Sequence, residues 1–408
     1  MTPARRQIVF INAAHGITHY SLVILPTAVL VMARPGGAFG ADYGPILALA
    51  TGMFVLYGAG SLPQGWLAAR AGRKAMMAVF FLGTGISLVA AGLIASPLAL
   101  ALTLAAAGAF ASIYHPIGTA MLVDAAGDRP GRAIGVNGVF GNIGVALSPV
   151  LTGLLAHFLG WRAAFLTPGA VCVALGLVWL GVPAVEHEFH RARAAFPVIP
   201  PALVRRAVIV LLLIAIASGL VFNAFTILLP KLIQDRLADN PSLLALVGAA
   251  AFAVTLCGAL TQFTVGRMID RMTLKSVFLP LALVLAPGLA ALALLHGWAM
   301  LIVAGMVAAV IFGQVTVNET MTARYISPET RARMYSIRFF VGFLGAAAAA
   351  PLVGLLEQRT GSLTVVLIVL AVVALITLGC AVFFPDRKEE LEPALWAQAI
   401  DPRPLPAE

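Results

Sequence analysis

The chain has 408 residues, of which 61% are hydrophobic and only 11% are charged, and its mean hydropathy is +0.99. A water-soluble globular domain of this size does not need so apolar a composition, so the sequence predicts a membrane protein. The formal net charge of +9 does not indicate nucleic-acid binding, because the basic residues stand singly between apolar runs of membrane-spanning length.

Apolar segments long enough to cross a bilayer, roughly 20 residues each, occur twelve times along the chain. Arg5 and Arg6 precede the first one as in a signal peptide, but that segment has the length of a full span, so we predict that it is retained. The predicted spans lie at about 7–32, 44–69, 74–95, 98–123, 132–157, 161–182, 206–231, 243–266, 275–295, 298–323, 333–357 and 361–384.

The chain divides at its one long polar connection. We predict an N-terminal six-helix bundle at 1–183, a cytoplasmic linker at 184–205, a C-terminal six-helix bundle at 206–385 and a cytoplasmic tail at 386–408. The acidic, proline-containing tail is expected to form a short helix and then become disordered. Twenty Lys and Arg residues fall on the side of the termini and five on the other, which predicts that both termini are cytoplasmic. The membrane is expected to be the inner (plasma) membrane of a bacterium.

Two stretches occupy corresponding places in the two halves. Gly65-Trp-Leu-Ala-Ala-Arg-Ala-Gly-Arg-Lys74 lies between spans 2 and 3, and Gly266-Arg-Met-Ile-Asp-Arg-Met-Thr-Leu-Lys275 lies between spans 8 and 9. The first resembles the G-x-L-a-D-r-x-G-r-R/K loop of the major facilitator superfamily. This resemblance implies an all-α fold of two six-helix halves around a central cavity. It also implies gating loops, with candidate residues Gly65, Arg70, Gly72, Arg73, Lys74, Gly266, Asp270 and Arg271.

The first of these loops departs from the family at one position. It has Ala69 where the family usually has Asp, whereas the second loop keeps Asp270. We therefore expect a helix-capping carboxylate in the second half only.

Strongly polar groups that remain inside the spans are the candidates for function, because they cost several kcal/mol in hydrocarbon unless they face protein or water. Many of them fall on spans 1, 4, 7 and 10, the helices that line the cavity in a major facilitator protein. The candidate cavity residues are His15, His19, Tyr20, His115, Asn137, Asn142, Asn223, Gln314 and Asn318.

His15 and His19 stand four residues apart, so a helix places them on one face. Such a pair binds metal in some proteins, but position 16 is glycine rather than the glutamate of a zinc protease, and no third ligand has useful local spacing. We therefore predict no metal and no cofactor. Hydrogen bonding between helices, substrate contact and proton relay all stay open for these histidines.

A second resemblance rests on spans 1, 4 and 5. Ser112-Ile-Tyr-His-Pro116 and Asn137-Gly-Val-Phe-Gly-Asn-Ile-Gly144 look like motifs of the fosmidomycin-resistance branch of the superfamily, which implies proton-coupled efflux. That branch tends to have a histidine and an acidic residue four apart in span 1. Here His15 matches the first and His19 replaces the second, so the coupling ion and the substrate stay open.

Glu319 is the only carboxylate well inside any predicted span, which makes it the candidate proton carrier. Arg338 enters span 11 at a similar depth, so the two side chains are expected to be able to pair. A permanent salt bridge with a structural or gating role is the alternative interpretation.

These observations predict a secondary active transporter of a small organic solute, working by alternating access and coupled to protons, with efflux favoured and uptake symport as the alternative. The sequence has no nucleotide-binding lysine loop, so ATP is not the expected energy source. The expected partners are the solute, protons and lipid, and the expected state is a monomer without enzymatic activity. A non-transporting receptor and an intramembrane metal enzyme using His15, His19 and His115 remain alternatives from other classes.

Overall fold

The computed structural model describes residues 2–126, 130–183, 198–237 and 244–391, and within these ranges it is helical, with no strand. In the first part of the chain the α-helices are α1 (Pro3–Leu22), α2 (Ile24–Met32), α3 (Tyr43–Ala48), α4 (Thr51–Ala59), α5 (Gln64–Ala71), α6 (Arg73–Leu93), α7 (Pro97–Ala111), α8 (Thr119–Ala126), α9 (Pro130–Leu159) and α10 (Ala163–Leu180). In the second part they are α11 (Pro201–Leu237), α12 (Leu244–Ile269), α13 (Leu274–Leu292), α14 (Gly297–Tyr325), α15 (Pro328–Thr360) and α16 (Leu363–Phe383).

The predicted all-α membrane fold is confirmed. Among the described residues, eleven helical segments are long and apolar enough to cross a membrane. The segments 43–59 and 64–71, bent by 66° relative to each other, supply a twelfth span when they are taken as one.

Two spans are interrupted at a proline. α1 ends at Leu22 and α2 begins at Ile24, because Pro26 has no N–H to donate to the carbonyl of Leu22. In the fourth span, Pro116 lies inside a π-helical turn, Tyr114–Gly118, which separates α7 from α8. A π-helical turn of this kind rotates the side chains that follow it and often occurs at functional sites.

One predicted boundary changes. α11 begins at Pro201, inside the segment 184–205 that was assigned to the linker, because proline is well suited to the first position of a helix. The described start of the tail forms a 3₁₀ turn at Lys388–Glu390. The rest of both segments, 184–197 and 392–408, lies outside the described residues.

The two halves pack tightly at the end of the bundle away from Pro3, which we call the distal end. A Cβ on Gly44 of α3 would lie 2.2 Å from the carbonyl oxygen of Gly354 on α15, and one on Gly248 of α12 would lie 2.6 Å from that of Pro149 on α9. Such backbone contacts require small residues. The distal end is therefore closed between the halves.

Candidate functional site

Three histidines meet inside the N-terminal half. α1 presents His15 and His19 one turn apart, with ring centroids separated by 4.9 Å. The His115 ring lies 5.3 Å from His15 and 5.5 Å from His19, and one ring nitrogen from each residue falls within 4.8 Å of the others. We call these three residues the histidine cluster.

The local backbone explains why His115 reaches α1. His115 is the second residue of the π-helical turn that contains Pro116. The direction of its side chain is therefore set by the wider π-helical turn rather than by a regular α-helix. The neighbouring ring of Tyr114 stacks on His15, with centroids 4.8 Å apart and planes inclined by 20°. The turn thus contributes two side chains to the same place.

Asn137 on α9 connects the cluster to two neighbouring polar side chains. Its amide donates to Asn12 Oδ1 at 2.9 Å, and its side-chain oxygen accepts from the Tyr114 hydroxyl at 2.9 Å. Its backbone carbonyl lies 2.7 Å from His15 Nδ1. Because a carbonyl only accepts, Nδ1 carries the proton and His15 Nε2 keeps its lone pair. Asn137, which is predicted to line the cavity, thus contacts and orients His15.

The second polar feature is an ion pair in the C-terminal half. The Arg338 guanidinium on α15 contacts the Glu319 carboxylate on α14. It also donates to the Asn318 carbonyl and the Thr322 hydroxyl, both at 3.3 Å. The Arg338 side chain is 11% exposed, whereas that of Glu319 is 42% exposed. The cation is therefore held in place, and the carboxylate reaches open space.

Phe339 connects these two features across the halves. Its ring stacks on His115 at 5.7 Å with planes inclined by 24°, and Arg338 Cζ lies 5.5 Å from the centroid of the same ring. Tyr57 also faces His115 at 6.2 Å and meets Phe343 of α15 at 4.8 Å. Sequence reasoning missed this aromatic contact, because phenylalanines inside an apolar span carry no distinguishing signal.

The other predicted cavity residues make hydrogen bonds elsewhere or are buried. Asn142 donates to Gln262 between α9 and α12 and so joins the two halves, and the Tyr20 hydroxyl lies 3.4 Å from that of Thr152. Asn223 donates to the Gly219 carbonyl on its own helix at 2.8 Å. Buried polar atoms without a hydrogen-bond partner in the described part of the chain include Gln314 Nε2 and Asn318 Oδ1.

Comparison with known proteins decides the family. The sequence model of the Major Facilitator Superfamily matches residues 14–258 and 240–405. The chain belongs to the major facilitator superfamily. The family assignment points to a transporter rather than an enzyme, and it confirms the expected fold of twelve spans in two six-helix halves.

Solved structures of transporters share this fold over nearly the whole chain. A D-xylose-proton symporter aligns with a TM-score of 0.73 at 12% identity, covering 95% of this chain and 98% of the other. A bacterial homologue of the human lysosomal transporter Spinster, in an inward-facing and unoccupied conformation, aligns with a TM-score of 0.71 at 14% identity, covering 100% of both. At such identities the likeness shows the fold alone.

Short stretches also match curated relatives. A probable hexose phosphate transport protein of Chlamydia trachomatis is 39% identical over 66 residues, which is 14% of each chain. The corresponding protein of Chlamydia pneumoniae is 37% identical over 71 residues, covering 13% of this chain and 16% of the relative. The matches thus span about a seventh of the relatives' length. Membership of the fosmidomycin-resistance branch stays a prediction.

The predicted loop at 65–74 of this major facilitator protein consists of most of helix α5, a turn at Gly72 and the start of α6. Arg70 Cζ lies 3.6 Å from the centroid of the Trp66 ring, and Lys74 Nζ donates to the Leu180 carbonyl at 3.1 Å. Gly72 has a φ of +81°, which explains why glycine stands there. No heavy atom lies within 4 Å of a Cβ placed on Gly65, so the structure does not require glycine there for close packing.

The loop between spans 8 and 9 is held by the tail. α13 is capped by Thr273, whose hydroxyl accepts from Ser276 N at 3.3 Å, and by the Glu390 carboxylate, which accepts from Leu274 N. The expected cap, Asp270, is an exposed residue just beyond α12. Glu390 also accepts from the Tyr325 hydroxyl at 2.7 Å, and its burial raises the pKa of its carboxyl group.

Proposed function

We propose that this transporter moves a small organic solute by alternating access, that a proton drives it, and that the direction is efflux. The observation that supports this most is the ion pair between Glu319 and Arg338. Arg338 is held in place, and the Glu319 carboxylate reaches open space. The neighbouring ring of Phe339 packs on His115 of the other half. A carboxylate that carries a proton has to alternate between contact with a cation and contact with a proton during a transport cycle, and this arrangement allows both.

The proposed coupling follows from the electrostatics of the pair. While Arg338 contacts the Glu319 carboxylate, the two opposite charges offset each other. When α15 moves relative to α14, this contact breaks and a proton replaces the guanidinium as the partner of the carboxylate. Because Phe339 packs on His115, a rearrangement at the histidine cluster is transmitted to the residue next to Arg338. Solute binding and protonation are thereby linked.

We further propose that the protein is a monomer in the bacterial inner membrane with both termini in the cytoplasm. The excess of Lys and Arg on the side of the termini supports this orientation. The same argument makes the distal end the extracytoplasmic one. We divide the chain into bundles at 1–183 and 201–385, with the second beginning where α11 begins.

Proton-coupled uptake is the second candidate. The fold likeness to a protein described as a D-xylose-proton symporter supports it, as does the short match to probable hexose phosphate transport proteins. The resemblance of spans 1, 4 and 5 to the fosmidomycin-resistance branch supports efflux instead. A receptor or an intramembrane metal enzyme is less well supported, because the family assignment and the transporter structures that share this fold point to a transporter.

Flux measurements in proteoliposomes test the proposal. A thermal-shift screen first identifies solutes that stabilise the purified protein, and counterflow then shows whether they cross the membrane. With an imposed pH gradient, an exporter moves solute against the direction of proton flow and a symporter moves it along that direction. Stabilising solutes that show no counterflow would contradict transport, and accumulation unaffected by the pH gradient would contradict proton coupling.

A further inference from the structure

The histidine cluster has the composition and spacing of a metal site. Imidazole nitrogens bind zinc at about 2.0–2.1 Å, which places the nitrogens of a tetrahedral site about 3.3 Å apart. In the cluster the three ring nitrogens lie within 4.8 Å of one another. Closing that gap takes an approach of up to about 1.5 Å between nitrogens, which side-chain rotation supplies. Sequence spacing offered no third ligand to His15 and His19, and the π-helical turn provides it as His115.

The surroundings of His15 match those of a metal-binding histidine. Such residues nearly always donate their second ring N–H to a carbonyl or carboxylate, which fixes the ring and the tautomer. His15 Nδ1 does so to the Asn137 carbonyl at 2.7 Å, and the Asn137 side chain is itself held by Asn12 and Tyr114. A Cβ on Gly141 would lie 2.6 Å from the His15 ring, so α9 packs directly against that ring.

The cluster supplies nitrogen ligands without a compensating negative charge. Within the described residues, Tyr57, Tyr114 and Phe339 pack their rings against the cluster, and the metal-ligating side chains grouped there are the three histidines alone. Three neutral imidazoles leave the charge of a divalent ion unbalanced inside a membrane protein, which is costly. An anionic fourth ligand from outside the protein would offset that cost.

We propose that the histidine cluster binds a divalent transition-metal ion of the zinc and nickel class through three imidazoles, and that an anionic oxygen donor of the transported solute occupies the fourth position. Imidazole is a favoured ligand for these ions, and three protein ligands with one open position are the arrangement that admits an exogenous ligand. Binding of the ion stands on the cluster alone, whereas its movement rests on the proposed transport function.

Cobalt substitution tests the binding. Full-length protein without a polyhistidine tag is purified in detergent, stripped with a chelator and titrated with Co²⁺. We expect one Co²⁺ per chain with the visible absorption of a tetrahedral site, displaced by Zn²⁺. His15→Ala, His19→Ala and His115→Ala should each weaken binding at least tenfold, whereas His157→Ala and His296→Ala, which change exposed histidines, should leave it unchanged.

Two further measurements keep the result decisive if an alanine variant fails to fold. His19→Asp replaces the imidazole nitrogen by a carboxylate oxygen that can also bind the ion, so this variant should bind Co²⁺ with a shifted absorption spectrum. In the wild-type protein loaded with Cu²⁺, electron paramagnetic resonance should show hyperfine coupling to imidazole nitrogens. Wild-type protein that gives neither signal, or folded cluster variants that bind as tightly as wild type, would overturn the proposal.

Counterflow separates this inference from the proposed function. Proteoliposomes are supplied with radioactive Zn²⁺, either alone or with citrate as an anionic donor, and we expect flux only when the anion is present. Flux of the free ion would overturn the role of the anionic ligand. Solute flux by a protein that binds no metal would support the proposed transport function and overturn the metal site. Metal binding without any flux would support the metal site and contradict the proposed transport function.

Discussion

Replacing Gly44 by alanine is expected to open the distal end of the bundle. The new Cβ would lie 2.2 Å from the Gly354 carbonyl oxygen, and such contacts are essentially never closer than 3.0 Å. α3 and α15 must therefore separate by roughly 1 Å, and overpacking of this kind costs about 1–3 kcal/mol. Because the contact joins the two halves, the cost falls on the distally closed state. The equilibrium should shift toward opening by about 5- to 150-fold.

Thiol labelling measures this shift. Ala33 borders the distal space between the halves, together with Tyr43 and Glu357, so Ala33→Cys reports its accessibility once the exposed native cysteine is removed by Cys257→Ser. Labelling of purified protein should be faster in the Gly44→Ala background. Gly379→Ala is the matched control, because no heavy atom lies within 4 Å of its Cβ position. An unchanged rate in a folded Gly44→Ala protein would refute the claim that this contact closes the distal end.

Three further predictions concern topology, the cluster and the tail. Ser96→Cys should be labelled by an impermeant reagent on intact cells and Ala71→Cys should not, because they lie at opposite ends of the bundle; the reverse pattern would invert the orientation. His115→Ala should lower transport at near-normal expression, whereas His157→Ala, which changes an exposed histidine, should not; equal flux in both variants would show that His115 has no part in transport. The raised pKa of Glu390 means that its contribution to stability is fully present at acidic pH and is lost as the pH rises. Glu390→Gln should flatten that dependence in thermal unfolding, and an unaltered slope would refute it.

The spans were predictable because membrane crossing imposes a minimum length of apolar chain. The third span, expected at 74–95, is α6 at Arg73–Leu93, and the twelfth, expected at 361–384, is α16 at Leu363–Phe383. The breaks at Pro26 and Pro116 were not predicted, although both prolines are visible in the sequence. Whether a proline bends or interrupts a membrane helix depends on which neighbouring groups satisfy the freed carbonyl, and those neighbours come from tertiary structure.

The site was predictable only where one helix determines it. His15 and His19 share a face by helix geometry alone, and Glu319 stood out because it is a carboxylate inside an apolar span. The hydrogen bonds of Asn137 could not be predicted, because they run to Asn12 and Tyr114 on other segments. Phe339 was missed for the same reason, since its importance comes from a contact with His115 in the other half.

Glu319→Gln in proteoliposomes tests the central claim most directly. The substitution keeps the size of the side chain and removes its charge and its proton. Glu357→Gln is the matched control. The Glu357 carboxylate lies 3.7 Å from Lys231 Nζ, and this pair is not part of the histidine cluster. We predict that Glu319→Gln abolishes accumulation driven by a pH gradient but retains solute exchange at equal pH, while the control keeps both. Accumulation against a gradient by folded Glu319→Gln protein, with protons as the only driving force, would contradict the account.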